Sequence, residues 1–164
     1  MVTITTKTDA FTFSELSYSA KQTARQWYCN DTDAFWAECV IEYAKEIGAL
    51  MGFDIENIYY SGFSSQGDGA CFTGSIRYAK NCAKNVKAYA PSDKELQRIA
   101  QAWQDLQKRN FYALRANIKH RGHYYHEMCT SFECEDTRHN YGWLQNDAIE
   151  DDIEEIARDF MRWI

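Results

Sequence analysis

The stretch Ile58–Ile76, IYYSGFSSQGDGACFTGSI, carries the strongest fold signal in the chain. Its first part, Ile58–Phe63, is rich in β-branched and aromatic residues, which favour a pleated strand. Its last part, Ala70–Ile76, alternates in the two-residue period of a strand. Between these parts, Gly67 and Gly69 can adopt positive φ angles at little cost, so the chain can reverse there. The stretch therefore predicts two antiparallel strands joined by a wide, glycine-rich loop.

The polar residues of this loop allow two interpretations. In the first, Ser64, Ser65, Gln66 and Asp68 form a rim presented to a ligand or partner, with Gln66 and Asp68 at its tip. In the second, the serine and aspartate side chains bond to their own backbone, as they usually do in turns. Neither GxGxxG nor GK[ST] follows, so the loop has no phosphate-binding motif.

The segment before this stretch predicts a helical hairpin. Trp27 and Tyr28 share one helical face with two alanines, which indicates a first helix. Asp31 or Thr32 can cap a second helix, and Gly52 has the position of a glycine that ends it.

The segment after it predicts a second pair of strands. Apolar and polar residues alternate from Leu114 to Ile118 and again beyond Gly122. A three-residue loop over 120–122, with Gly122 left-handed, aligns the apolar faces of the two strands. This register sets Ile118 opposite Tyr124.

The order of these elements predicts the fold class. Val2 and Ile4 alternate with threonines, which indicates a short strand at a sheet edge. Two further helices start after Pro91 and at Asp147, each with apolar residues at helical spacing. We therefore predict one α+β domain over 1–164, with an antiparallel sheet of two hairpins and an N-terminal edge strand, packed by about four helices.

Composition and charge argue against several classes of protein. The net charge of −6 opposes non-specific binding of nucleic acid, which depends on phosphate neutralisation. Residues 80–119 carry nine basic and three acidic groups, a pattern that a solvated helix flank also explains. None of the six cysteines forms CxxC, and no apolar run has the length of a membrane helix. We therefore expect a cytoplasmic protein with reduced thiols, no cofactor and no membrane contact. Binding of nucleic acid by residues 80–119 is the third and weakest interpretation.

Three histidines and a cysteine recur every three residues: His120, His123, His126 and Cys129, with Cys134 and His139 nearby. On a helix this spacing would form a metal-binding stripe, but the local period of two predicts a strand, on which the side chains diverge. A metal site at these histidines is therefore the weaker interpretation.

Asp68 and His126 are the candidates for acid–base catalysis, and the candidate nucleophile is one of Ser61, Ser64, Ser65 and Cys71. The GxSxG motif is absent. These roles require the two predicted hairpins to lie side by side, which the sequence does not fix.

Tyrosines in the two hairpins cannot all face the core, so some of them are expected to be exposed. Exposed tyrosine beside small polar residues is typical of protein-recognition surfaces. We therefore select Tyr60, Arg121 and Tyr125, together with the loop Ser64–Asp68, as a candidate binding surface. The acidic outer face of the last helix is an alternative docking surface.

Four segments together resemble a family of small proteins from bacteriophages and prophages: FSELSYSAKQTARQW (13–27), AKEIGALMGF (44–53), YYSGFSSQGDGACFTGSI (59–76) and HRGHYYHE (120–127). Some members are described as the antitoxin of a toxin–antitoxin system. The position of Ser64 is often tryptophan in that family. The resemblance implies a phage or prophage setting and a role in conflict with the host, but no reaction.

From the residues and the resemblance together, we expect an interaction protein that binds a host protein and modulates or inhibits it. An antitoxin-like role and an anti-defence role both fit this expectation. The alternative is a small metal- or nucleophile-dependent enzyme that acts on a nucleotide or another small polar ligand.

Overall fold

The computed structural model describes residues 11–62, 65, 67–138, 144 and 146–164, and for 29–35 the backbone alone. The chain separates into two compact units, residues 1–39 and 40–164. In the first unit, a short 3-10 turn at Phe13–Glu15 precedes the start of a long helix. The expected edge strand at Val2 and Ile4 lies outside the described residues.

The second unit contains the sheet. The described elements are α1 (Tyr18–Met51), β1 (Phe53–Ser61), β2 (Gly69–Arg77), α2 (Cys82–Tyr89), α3 (Lys94–Arg109), β3 (Leu114–His120), β4 (Thr130–Asp136) and α4 (Asp147–Trp163). The four strands form one antiparallel sheet in the order β1-β2-β3-β4. This architecture confirms the predicted α+β class and the two hairpins.

The predicted helical hairpin is wrong, because α1 continues without a break from Tyr18 to Met51. Asp31 and Thr32 favour a helix start, but neither glycine nor proline interrupts the backbone between them and Trp27. The consequence is that Trp27, Tyr28 and Trp36 are 67%, 64% and 69% exposed rather than packed against a second helix.

Aromatic packing forms the centre of the core. Phe53 meets both Trp103 and Phe160 edge-on, with ring centroids 5.4 Å apart in each pair, a favourable arrangement for aromatic rings. The Trp103 Nε1–H donates a hydrogen bond to the Met51 carbonyl at 3.1 Å, so this polar atom is satisfied although the side chain is fully buried. The core thus joins β1, α3, α4 and the end of α1.

Helix α3 begins where a side chain caps it. Asp93 accepts a hydrogen bond from the Leu96 N–H at 2.9 Å, which satisfies a backbone donor of the first turn. Leu96, Ile99 and Trp103 follow at helical spacing and are fully buried, as the sequence period predicts.

The predicted register of the second hairpin is wrong by eight residues. Ile118 lies opposite Phe132 rather than Tyr124, and Ala116 lies opposite Cys134. Because eight is an even number, residues of the same parity still face the core. The observed register buries Cys134 and part of Phe132, and it leaves residues 121–129 as a long loop. Within this loop, Gly122 has the expected positive φ, +87°.

The two faces of the sheet differ in polarity. Ile76, Ala116 and Ile118 are buried on the face that packs against the helices. The residues that alternate with them, Ser75, Arg77, Arg115 and Asn117, point to the other face, which is polar. An antiparallel sheet commonly has one packed and one solvated face.

No helix within the described ranges is long and apolar enough to cross a membrane.

Gly74 is expected to tolerate no side chain. Its φ is +146°, and a Cβ at this position would lie 2.0 Å from the Asp54 carbonyl oxygen, next to a register shift in β1. Gly74→Ala should therefore lower the free energy of unfolding by about 3 kcal/mol or more, measured by urea denaturation.

Gly122→Ala is the matched control, because its φ is also positive but nothing lies within 4 Å of the added Cβ. It should cost about 1 kcal/mol. Equal losses for the two variants would contradict the close approach of β1 and β2 at Gly74.

Candidate functional site

Asp68 stabilises the turn between β1 and β2 through hydrogen bonds within the turn. The Ser65 N–H donates a hydrogen bond to Asp68 Oδ2 at 2.6 Å, and the Asp68 N–H donates to the Ser65 carbonyl at 3.1 Å. These bonds agree with the second interpretation of the loop, in which polar side chains bond to the local backbone. Ser64 and Gln66 lie outside the described residues.

The loop between β3 and β4, residues 121–129, is also held by internal hydrogen bonds. The Arg121 N–H donates to the Cys129 carbonyl at 2.8 Å, which closes the loop at its base. A 3-10 turn at Glu127–Cys129 follows His126, and the Thr130 hydroxyl donates to the Glu127 carbonyl at 2.7 Å. Hydrogen bonds to its own backbone carbonyl groups therefore hold the loop in a defined conformation.

The two loops lie against each other through glycine. A Cβ at Gly67 would lie 2.3 Å from Cδ1 of the Tyr124 ring, and a Cβ at Gly69 would lie 2.9 Å from the His126 Cβ. Real Cβ atoms do not approach other heavy atoms so closely, so only glycine permits this packing. The expected proximity of the two hairpin ends is therefore observed.

Three rings beneath the loops form a cluster. The ring centroids of Tyr59, His120 and Tyr125 lie 5.1 to 5.6 Å apart, and Tyr59 is stacked on both other rings. His120 Nε2 also contacts the Tyr124 carbonyl at 2.9 Å. Tyr125 is half-buried, so its ring supports the loop from below and offers little area to a partner.

Several side chains in the two loops, and Tyr60 near the end of β1, face solvent. Tyr60, Tyr124 and Met128 are 50%, 61% and 51% exposed, and Arg121 and His123 are exposed beside them in sequence. We call the exposed residues Tyr60, Ser65, Arg121, His123, Tyr124 and Met128 the loop surface. Tyrosine, methionine and arginine are enriched at protein–protein interfaces.

His126 is engaged within its own turn. Its Nδ1 accepts a hydrogen bond from the Met128 N–H at 3.2 Å, and its Nε2 lies 3.3 Å from Cys129 Sγ. Because Nδ1 is an acceptor, a neutral imidazole here carries its proton on Nε2, facing the sulfur.

The three histidines have separate partners. His120 packs on Tyr59, His126 contacts Cys129, and His123 is exposed. In the described part of the chain, no group of three or more His, Cys, Asp or Glu side chains is arranged to hold a metal ion.

The thiol that meets a histidine is Cys129, the last member of the three-residue series. The sequence predicts a strand here, on which His126 and Cys129 diverge, whereas the 3-10 turn at Glu127–Cys129 brings them together. The candidate nucleophile Cys71 is instead fully buried, and burial, with smaller effects from Cys129 and Glu127, raises its pKa to about 11.

Ion pairs connect the loop between β3 and β4 to helix α4, and they neutralise part of the acidic face of α4. Arg162 contacts Glu127 of the loop at 3.2 Å and Asp159 at 2.6 Å. Asp159 also pairs with Arg98 of α3. The alternative docking surface on α4 is therefore less acidic than the sequence indicates.

The chain matches the family described as Domain of unknown function (DUF8835) over residues 36–164 and belongs to it. The match includes both loops and the whole sheet. No curated protein and no solved structure matches the chain.

Burial should protect two cysteines from alkylation. Cys71 and Cys82 are fully buried, and burial raises the pKa of each thiol to about 11. At pH 8 about one-tenth of a thiol with a pKa near 9 is ionised, against about one-thousandth at a pKa near 11, and only the thiolate reacts. Iodoacetamide should therefore modify the exposed Cys39 and the half-buried Cys129 well before Cys71 and Cys82, measured by peptide mass spectrometry.

The same labelling in urea should remove this difference, because all thiols are then exposed. Modification of Cys71 in the folded protein as fast as that of Cys39 would contradict its burial.

Proposed function

We propose that this member of a family without an assigned function is a protein-binding module that modulates or inhibits its partner through the loop surface. The observation that carries the proposal is the packing of Gly67 on Tyr124. This contact joins the two loops, and Tyr124 and Met128 are exposed on the loop between β3 and β4, while Tyr60 is exposed near the end of β1.

The composition of the loop surface supports a protein partner. Tyrosine and arginine supply most of the binding energy at many protein interfaces, and the loop surface exposes Tyr60, Tyr124 and Arg121. Large side chains this exposed on a polar rim have little to contribute to the stability of the fold, because their apolar area stays in water. Their exposure is explained by a partner that covers them.

Preorganisation also supports binding. The loops are held by the Arg121–Cys129 and Ser65–Asp68 backbone contacts and by stacking on Tyr59. A surface that is ordered before association loses less conformational entropy when it binds.

We further propose that the partner is a host protein. The resemblance of four segments to phage and prophage proteins supports this choice, and it fits both an antitoxin-like and an anti-defence role. The net charge of −6 gives the chain no general attraction for nucleic acid.

The competing enzyme hypothesis requires Asp68 and His126 to act together. Asp68 bonds to the Ser65 N–H, and His126 contacts Met128 and Cys129. Each side chain thus helps to hold its own loop in shape, which a binding module requires.

A second exposed surface lies on α1. Trp27, Tyr28 and Trp36 are each more than 60% exposed, and single large aromatics of this exposure also occur at docking sites. The test must therefore separate the loop surface from α1.

The test is capture of a partner from bacterial lysates by the immobilised full chain, followed by binding measurements with the purified partner. Tyr60→Ala and Tyr124→Ala should each raise the Kd about tenfold or more, the usual effect of truncating an interfacial tyrosine anchor. Isothermal titration calorimetry measures the change.

Phe111→Ala is the matched control, because Phe111 is 74% exposed in the turn before β3 and far from the loops along that strand. It should leave the Kd unchanged. A partner that binds both tyrosine variants normally but loses affinity for Trp27→Ala would overturn the assignment to the loop surface. The absence of any saturable partner across several bacterial hosts would overturn the proposal as a whole.

A further inference from the structure

Two arginines stand side by side on the open face of the sheet. Arg77 of β2 lies directly opposite Arg115 of β3, an arrangement that is destabilising for like charges. Neither side chain forms an ion pair within the described residues. By contrast, five other arginines of that part of the chain are each paired with an acid: Arg98, Arg109, Arg138, Arg158 and Arg162.

Hydrogen-bond donors extend this pair into a block of four side chains. Ser75 lies opposite Asn117, two residues along the strands from Arg77 and Arg115. Residues two apart in a strand share a face at roughly 7 Å, and directly opposite residues lie roughly 5 Å apart. A hydroxyl, an amide and two guanidinium side chains therefore start from neighbouring positions on one face of the sheet.

These side chains line a shallow cleft. Its volume is about 250 Å³, and its lining consists of the four donors with the strand residues Ile76 and Ala116 and one acid, Glu135. Drug-sized ligands occupy clefts of roughly 300 to 1,000 Å³. This cleft is therefore suited to a smaller molecule.

The carboxylate of Glu135 competes with a ligand anion for Arg115. It lies opposite Arg115 on the side away from Arg77, in the register of β3 and β4. No ion pair joins the two, although Lys119 and Glu133, farther along the same strands, do form one. A ligand anion would bind Arg115 in competition with this carboxylate, while a ligand hydroxyl could donate to it.

We propose that this cleft binds the phosphate monoester of a small polyol, such as a sugar phosphate. Arg77 and Arg115 would hold the phosphate, because the planar guanidinium matches phosphate oxygens in a bidentate fashion. Ser75 and Asn117 donate to the remaining phosphate or sugar oxygens, and Glu135 accepts from a sugar hydroxyl. Binding also removes the repulsion between the two arginines.

The cleft is distinct from the loop surface. Strand β2 begins at Gly69, beside the loops, and ends at Arg77. Eight residues of strand separate these ends by roughly 26 Å. The two proposals therefore stand or fall independently.

The test is isothermal titration of the full chain with ribose 5-phosphate, ribose, inorganic phosphate and a thymidine oligonucleotide. Ribose 5-phosphate should bind saturably, and ribose should not. Arg77→Gln and Arg115→Gln should each weaken binding about tenfold or more, because each removes a charge-assisted pair. Glu135→Gln should tighten it several-fold, because Arg115 loses its competitor.

Arg109→Gln is the matched control, because Arg109 is an exposed arginine at the end of α3 that pairs with Asp152 and does not line the cleft. It should bind ribose 5-phosphate like the unchanged protein. No saturable binding, or an equal loss in the Arg109 variant, would overturn the proposal. Inorganic phosphate binding as tightly as the monoester would overturn the polyol assignment. Tighter binding of the oligonucleotide than of ribose 5-phosphate would assign the cleft to nucleic acid instead.

Discussion

The loop between β3 and β4 can lie on the turn between β1 and β2 because two Cβ atoms are missing. At Gly67 any side chain would overlap the Tyr124 ring, and at Gly69 it would overlap His126. A side chain at either position would therefore displace its neighbour and separate the two loops. The juxtaposition of the two loops depends on this contact.

The sheet carries its two candidate sites at its two ends. The loops offer aromatic and polar side chains on an internally bonded backbone, which suits recognition of a protein. The far end offers unpaired guanidinium groups in a small cleft, which suits an anion. In a family without an assigned activity, this division supports a binding module, with a second, smaller ligand as a separate property of the same sheet.

The sequence predicts those features that depend on local period and glycine chemistry. The two hairpins, the buried face of α3 and the left-handed Gly122 all follow from residues close in the chain. The register of β4 could not be predicted, because a shift of eight residues keeps the same parity and so satisfies the same alternation. The observed register of β4 depends on the burial of Cys134 and Phe132 in a core built from residues distant in the sequence. The continuous α1 was missed for a related reason: Asp31 and Thr32 permit a helix start but cannot enforce one.

The contacts within the candidate site could not be predicted from the sequence either. Asp68 and His126 lie at one end of the sheet, and each forms hydrogen bonds with neighbours in its own turn, which no pattern of residue types reveals.

The central claim is that the turn between β1 and β2 touches the loop between β3 and β4. Nuclear Overhauser spectroscopy tests it most directly: cross-peaks are expected between Gly67 Hα and the Tyr124 ring and between Gly69 Hα and His126 Hβ. Assigned resonances without either cross-peak would contradict the account.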